Sequence, residues 1–120
     1  MKKFNFTKRE LQIMQVLWNN HEALSAKEIA ATDSKLSQNT VQTVLRRLLS
    51  NDMIKTAGVG YSGTVLTRQY RPAISQEAYL DSLVSRGSML QLVAQFIGKS
   101  SEAELTQIED YIQEQRKNKD

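Results

Sequence analysis

The chain has 120 residues, 40% of them hydrophobic and 24% charged, with one Pro and no Cys; that is the balance of a folded globular protein and the length of one domain, or of a domain of about 70 residues with an appendage. The missing cysteines exclude disulfides, thiolate metal sites and a cysteine nucleophile. The net charge of +3 is unevenly spread: Met1 to Pro72 holds eleven Lys and Arg against five acids, a net +6, whereas Ala73 to Asp120 carries −3. A basic N-terminal part suits a polyanionic partner, because each neutralised phosphate releases condensed counterions. No apolar run approaches the roughly 18 residues of a membrane span, and Met1 to Phe6 lacks the apolar core of a signal peptide, so a cytoplasmic protein without membrane insertion is expected.

Thr7-Lys8-Arg9-Glu10 reads as a capping box, in which Thr7 accepts from a backbone N–H three residues on and Glu10 reaches back. A first helix is expected over Lys8 to Asn19, with Leu11, Met14, Leu17 and Trp18 at helical spacing. Ser25-Ala26-Lys27-Glu28 repeats the signature and opens a helix of barely two turns. Ser37 caps a third, in which Val41, Val44, Leu45 and Leu48 recur as one buried face.

The period then changes. Met53 to Ala57 reads as a short strand, Gly58 to Gly63 as a glycine-rich turn, and Thr64 to Arg71 as a second strand, closed by Pro72. The Gly58-Val59-Gly60 sequence lacks both a following helix and a Walker lysine, so it is read as turn chemistry rather than a phosphate cradle. Helical patterning resumes after Pro72. Ser75 caps a stripe of Tyr79, Leu80, Leu83 and Val84, and Arg86-Gly87-Ser88 interrupts it. Met89 to Ile97 is densely apolar with Gly98 as its stop, and Ser101-Glu102-Ala103-Glu104 opens a last helix striped by Leu105, Ile108, Tyr111 and Ile112. The tail beyond Gln115 is expected to fray.

Catalysis needs a positioned acid, base or nucleophile, and the inventory is one His, no Cys and carboxylates concentrated at caps and in the last helix. His21 falls in a polar link with no second ligand type nearby. Neither a catalytic residue, a metal site nor a cofactor is expected. The third helix is more informative: opposite its apolar face stand Gln38, Asn39, Thr40, Gln42, Thr43, Arg46 and Arg47, with no acid between Asp33 and Asp52. Asn and Gln pair with adenine, Arg with guanine and phosphate, and Thr with the thymine methyl, on an element whose width fits the major groove. Lys55 and Arg68 on the hairpin complete the expected DNA-binding set. The order helix, helix, helix, hairpin predicts a mostly α winged helix-turn-helix over 1–73, followed by C-terminal dimerisation helices over 74–120. The candidate dimerisation residues are Leu83, Met89, Leu92, Val93, Phe96, Ile97, Leu105, Ile108 and Ile112, since a lone helical appendage cannot bury both of its apolar faces. A winged-helix module that binds protein without sequence-specific DNA recognition is the alternative.

Several segments together resemble the BlaI/MecI/CopY family of penicillinase, methicillin-resistance and copper-responsive repressors. They are Glu10 with Val16-Leu17-Trp18, the Ser37-x-x-Thr40-Val41-x-Thr43-x-Leu45-x-Arg47-Leu48 helix, Met53-Ile54, Tyr70-x-Pro72 and Leu92-Val93-x-x-Phe96-Ile97. The resemblance implies a homodimeric transcriptional repressor on an inverted-repeat operator, with half-sites like TACA and TGTA. It also implies a membrane sensor protease as partner, cutting an Asn-Phe bond whose counterpart here is Gln95-Phe96. The Cys-x-Cys arrangement of the copper-responsive branch is missing, which places the chain nearer the BlaI/MecI branch.

Overall fold

The structure, a computed structural model, describes residues 4–62 and 65–119. Met1 to Lys3, Gly63, Thr64 and Asp120 lie outside the described residues, and with Gly63 and Thr64 lies the tip of the expected hairpin turn. The elements run α1 (Lys8–Trp18), β1 (Leu24–Ser25), α2 (Ala26–Ala30), α3 (Gln38–Ser50), β2 (Ile54–Ser62), β3 (Val65–Pro72), α4 (Gln76–Leu83), α5 (Arg86–Gly98) and α6 (Glu102–Asn118).

All three capping boxes form. Glu10 N–H donates to Thr7 Oγ1 at 3.2 Å while the Glu10 carboxylate accepts from Thr7 N–H at 2.8 Å, and the Ser25/Glu28 and Ser101/Glu104 pairs repeat the exchange. Each pair satisfies two backbone donors that a helix start otherwise leaves open, which fixes where the helix begins. On α1 the buried stripe is Glu10, Ile13, Met14 and Leu17, a face turned slightly from the expected one. Leu11 and Trp18 flank it, half-buried. With Ile29, Leu36, Val41, Val44, Leu45, Leu48 and Ile54, the apolar members of that stripe form the core.

The hairpin is longer than expected and its glycines act differently. β2 continues through Gly58 and Gly60, so these residues belong to a strand rather than to the turn. The β2–β3 register shifts between Thr56 and Val59, a bulge at which Gly58 adopts φ +112°; that backbone region is costly for any residue with a Cβ. A Cβ on Gly60 would lie 2.5 Å from the Gln69 side-chain amide, so the side chain of Gln69 occupies the space the glycine leaves. β1 was not anticipated: Leu24 pairs with Tyr70 and Ser25 with Gln69, giving an antiparallel sheet of order β1-β3-β2. Two residues are too short to show alternation.

At the end of α3, Met53 N–H donates to the Leu48 carbonyl at 2.9 Å and Asp52 N–H to the Leu49 carbonyl at 3.1 Å. This is a Schellman closure with Asp52, at φ 60°, in the left-handed position that glycine usually fills. Asp52→Gly is therefore expected to raise the stability of the N-terminal unit by about 1 kcal/mol, read as a shift in its urea midpoint. A lower midpoint would mean that the aspartate side chain stabilises the turn.

The chain divides into two compact units, Met1–Leu83 and Val84–Asp120. The division falls ten residues beyond the 73/74 boundary expected from sequence, because α4 is tied to the first unit by aromatic packing. Tyr79 stacks on Trp18 with centroids 5.6 Å apart and meets Phe6 at 5.3 Å. The Trp18 indole N–H donates to the Ile74 carbonyl at 2.9 Å. In the second unit the helix break falls at Val84-Ser85 rather than at Arg86 to Ser88, since Ser85 is the cap of α5 and accepts from Ser88 N–H at 3.2 Å. Gly98 is the last residue of α5 with no left-handed turn, and α6 continues past Gln115 to Asn118. Among the described residues, no residue of α5 or α6 is buried, and no helix is long and apolar enough to cross a membrane.

Candidate nucleic-acid interface

Helix α3 is built for two environments at once. Val41, Val44, Leu45 and Leu48 are 0–2% exposed and anchor it in the core. At about 100° of rotation per residue, that leaves the opposite arc free. Gln38, Asn39, Gln42, Thr43, Arg46 and Arg47 are all exposed there and Thr40 is half-exposed, so the structure gathers all seven expected α3 residues on the outward side. Within the arc, Asn39, Thr43 and Arg46 lie directly opposite the core. Gln38 and Gln42 turn to one flank, Thr40 and Arg47 to the other.

Hydrogen bonding inside the helix determines what some of these groups present. The Thr43 hydroxyl donates to the Asn39 carbonyl at 3.0 Å, which uses its proton and leaves the methyl group and oxygen lone pairs for other contacts. Ser37 Oγ accepts from Thr40 N–H at 3.1 Å and donates to Thr40 Oγ1 at 2.9 Å. Thr40 is thus engaged with its own cap. Asn39, Gln42, Arg46 and Arg47 make no side-chain hydrogen bond to another described residue and keep their full donor sets.

The Gln38/Gln42/Arg46 flank faces a groove of about 570 Å³, bounded also by the start of α2 and by β3. Arg68 and Thr67 contribute from β3 and Lys27 from α2, so Lys27, Arg46 and Arg68 place three cations on one rim. Lys27 was not in the expected set, although a lysine two residues past the Ser25 cap was visible in the sequence. What sequence could not supply is the approach of α2 to α3. Lys55 is not brought to this groove. It pairs across the sheet with Arg71, and strand alternation places it on the opposite face from Arg68. The charge on that face belongs to Lys55 and Arg71 together.

The expected dimerisation residues fall into both units. Leu83 closes α4 in the first, 48% exposed, and the other eight lie on α5 and α6. On α5, Leu92, Val93, Phe96 and Ile97 are 51%, 43%, 55% and 38% exposed, while Met89 is half-buried. On α6, Leu105 and Ile108 are half-buried and Ile112 is exposed. Leu90, at 72% exposed, extends the apolar arc of α5 beyond the expected set. The Gln95-Phe96 bond lies in the last turn of α5, where helices fray most readily. Among the described residues no cluster of His, Asp and Glu could hold a metal ion, and His21 is exposed.

No curated protein sequence matches the chain. The penicillinase repressor family profile matches residues 6–114. Among solved structures, a single-residue variant of S. aureus MepR bound to an oligodeoxyribonucleotide is similar with a TM-score of 0.53 and 16% identity, over 96% of this chain and 80% of that one. The S. aureus MepR-DNA complex gives a TM-score of 0.51 and 15% identity, over 98% and 82%. The adhesin competence repressor AdcR from Streptococcus pyogenes gives 0.50 and 14%, over 94% and 80%. Identities this low establish the fold, a winged helix followed by C-terminal helices. The family profile spans most of the chain, from Phe6 in front of α1 to Glu114 in α6; the protein belongs to the penicillinase repressor family, whose members are transcriptional regulators and not enzymes.

Proposed function

We propose that the protein represses transcription in the cytoplasm as a homodimer, each chain laying α3 in the major groove of one half of an inverted-repeat operator. The observation that carries this reading is the outward arc of α3: seven side chains able to read bases or hold phosphates, none acidic, on a helix whose other face is locked in the core. Asn39 and Gln42 suit adenine edges, Arg46 suits guanine or phosphate, and the Thr43 methyl suits thymine. Arg68 and Lys27 suit the flanking backbone, which positions the helix without specifying sequence. Lys55 adds positive potential from the far side of the sheet.

Dimerisation follows from the second unit. Two helices that fully bury no residue of their own and leave Leu90, Leu92, Val93 and Phe96 open would be completed by a second copy, and a two-fold pair matches the two-fold symmetry of an inverted repeat. Two α3 helices on one face of the duplex would then exclude polymerase from an overlapping promoter. A sensor protease cutting at Gln95-Phe96 would sever α5 within this interface, and so release DNA by undoing the dimer.

Arg46→Ala tests the α3 reading. The substitution removes an exposed side chain and leaves the core face intact, so operator binding should weaken by about 1–3 kcal/mol with thermal stability held within about 0.5 kcal/mol. Fluorescence anisotropy on a labelled operator duplex and a melting curve measure the two quantities. Unchanged binding would remove Arg46 from the interface, and lost stability would show that its side chain supports the fold.

A further inference from the structure

The groove beside α3 is larger and less polar than a phosphate contact requires. Its volume of about 570 Å³ lies within the roughly 300–1,000 Å³ range of small-molecule pockets. Ala26, Leu49 and Tyr70 line it, and all three are half-buried side chains packed against the core. Lys27, Arg46 and Arg68 supply the charge, and no carboxylate lines the groove among the described residues. A phosphodiester would satisfy the cations and leave the apolar floor wet. A flat ring bearing one carboxylate would cover Leu49 and Tyr70 and offer its oxygens to a guanidinium fork.

We propose that this groove binds a small planar aromatic carboxylate, and that its occupation displaces DNA. The proposal rests on the reading of α3 as the DNA-contacting helix, because Gln42, Arg46 and Arg68 serve both ligands. Competition at shared residues makes the apparent DNA affinity fall by the factor one plus ligand concentration over its dissociation constant for each chain, and by its square for a dimer on one operator. The chain would thereby respond to a metabolite directly, without a cut in α5.

The test titrates 2-naphthoate into the full chain by calorimetry and repeats the DNA anisotropy titration at several naphthoate concentrations and constant ionic strength. Saturable binding at one site per chain is expected, with operator affinity of the dimer about tenfold weaker at about twice the naphthoate dissociation constant, because both chains must be vacated. The uncharged 2-naphthalenemethanol should bind at least about tenfold more weakly, since it cannot engage the cations. Leu49→Gln, outside the DNA-contacting set, should weaken naphthoate binding about tenfold and leave DNA affinity without naphthoate unchanged, with melting curves checking the fold. No saturable naphthoate binding, or inorganic phosphate displacing DNA as well as naphthoate does, overturns the proposal. Naphthoate bound to a chain whose DNA complex is unaffected overturns the competition. Absence of any DNA complex alongside Leu49-dependent naphthoate binding overturns the repressor reading and leaves the ligand site standing.

Discussion

Phe96→Ala is expected to convert the protein to a monomer at micromolar concentration. Within one chain Phe96 is 55% exposed, so the truncation costs little there. Across the proposed interface the same ring becomes buried, and removing a buried Phe costs about 3–5 kcal/mol. Since about 1.4 kcal/mol is tenfold in an equilibrium constant, dimer dissociation should strengthen by more than about a hundredfold. The winged unit ends at Leu83 and should keep its melting temperature. Operator affinity should fall far more than affinity for random duplex, because the loss is of two linked half-sites and not of phosphate contacts. Sedimentation velocity and paired anisotropy titrations read both effects. A variant that stays dimeric with normal operator binding would remove α5 from the interface, and with it the link between cleavage at Gln95-Phe96 and release.

Leu48→Ala should have the largest effect on the winged unit itself. Leu48 is 0% exposed, among the core side chains that seat α3. Its loss removes apolar contact and leaves a cavity, at a cost of about 2–5 kcal/mol. For a unit of this size each kcal/mol lowers the melting temperature by about 4–8 °C, so a drop of at least about 8 °C is expected. Arg47→Ala, one residue away on the exposed arc, should shift stability by no more than about 0.5 kcal/mol. The contrast between adjacent residues measures how sharply α3 divides its two faces. Equal losses at both positions would show that the faces are wrongly assigned.

What was legible in the sequence was local. Each capping box is an exchange between residues three apart, so Thr7, Ser25 and Ser101 mark their helices without reference to the rest of the chain. The α3 stripe is equally local, because four apolar residues at helical spacing admit one buried face. The exact face of α1 was not, since Leu11 and Trp18 also fit the period; Trp18 is drawn aside by Phe6 and Tyr79, a partner 61 positions away in sequence. The same contact moves the end of the first unit to Leu83. β1 shows only through its partners on β3, and the glycines of the wing read as a turn because a bulge and a turn ask for the same backbone freedom. At the site, side chains on one helix were predictable as a group, whereas Lys27 joins them only through the packing of α2.

Recognition of DNA through α3 is tested most directly by titrating the full chain against a duplex carrying TACA and TGTA half-sites as an inverted repeat, and against a scrambled duplex of the same composition. Two chains per duplex are expected, with a preference for the inverted repeat of at least about a thousandfold at physiological salt. Replacing both Gln42 and Arg46 with alanine should abolish the preference while leaving weak, salt-sensitive binding to either duplex. Equal affinity of the unaltered chain for the two duplexes, or a preference that survives the double substitution, would contradict recognition through α3.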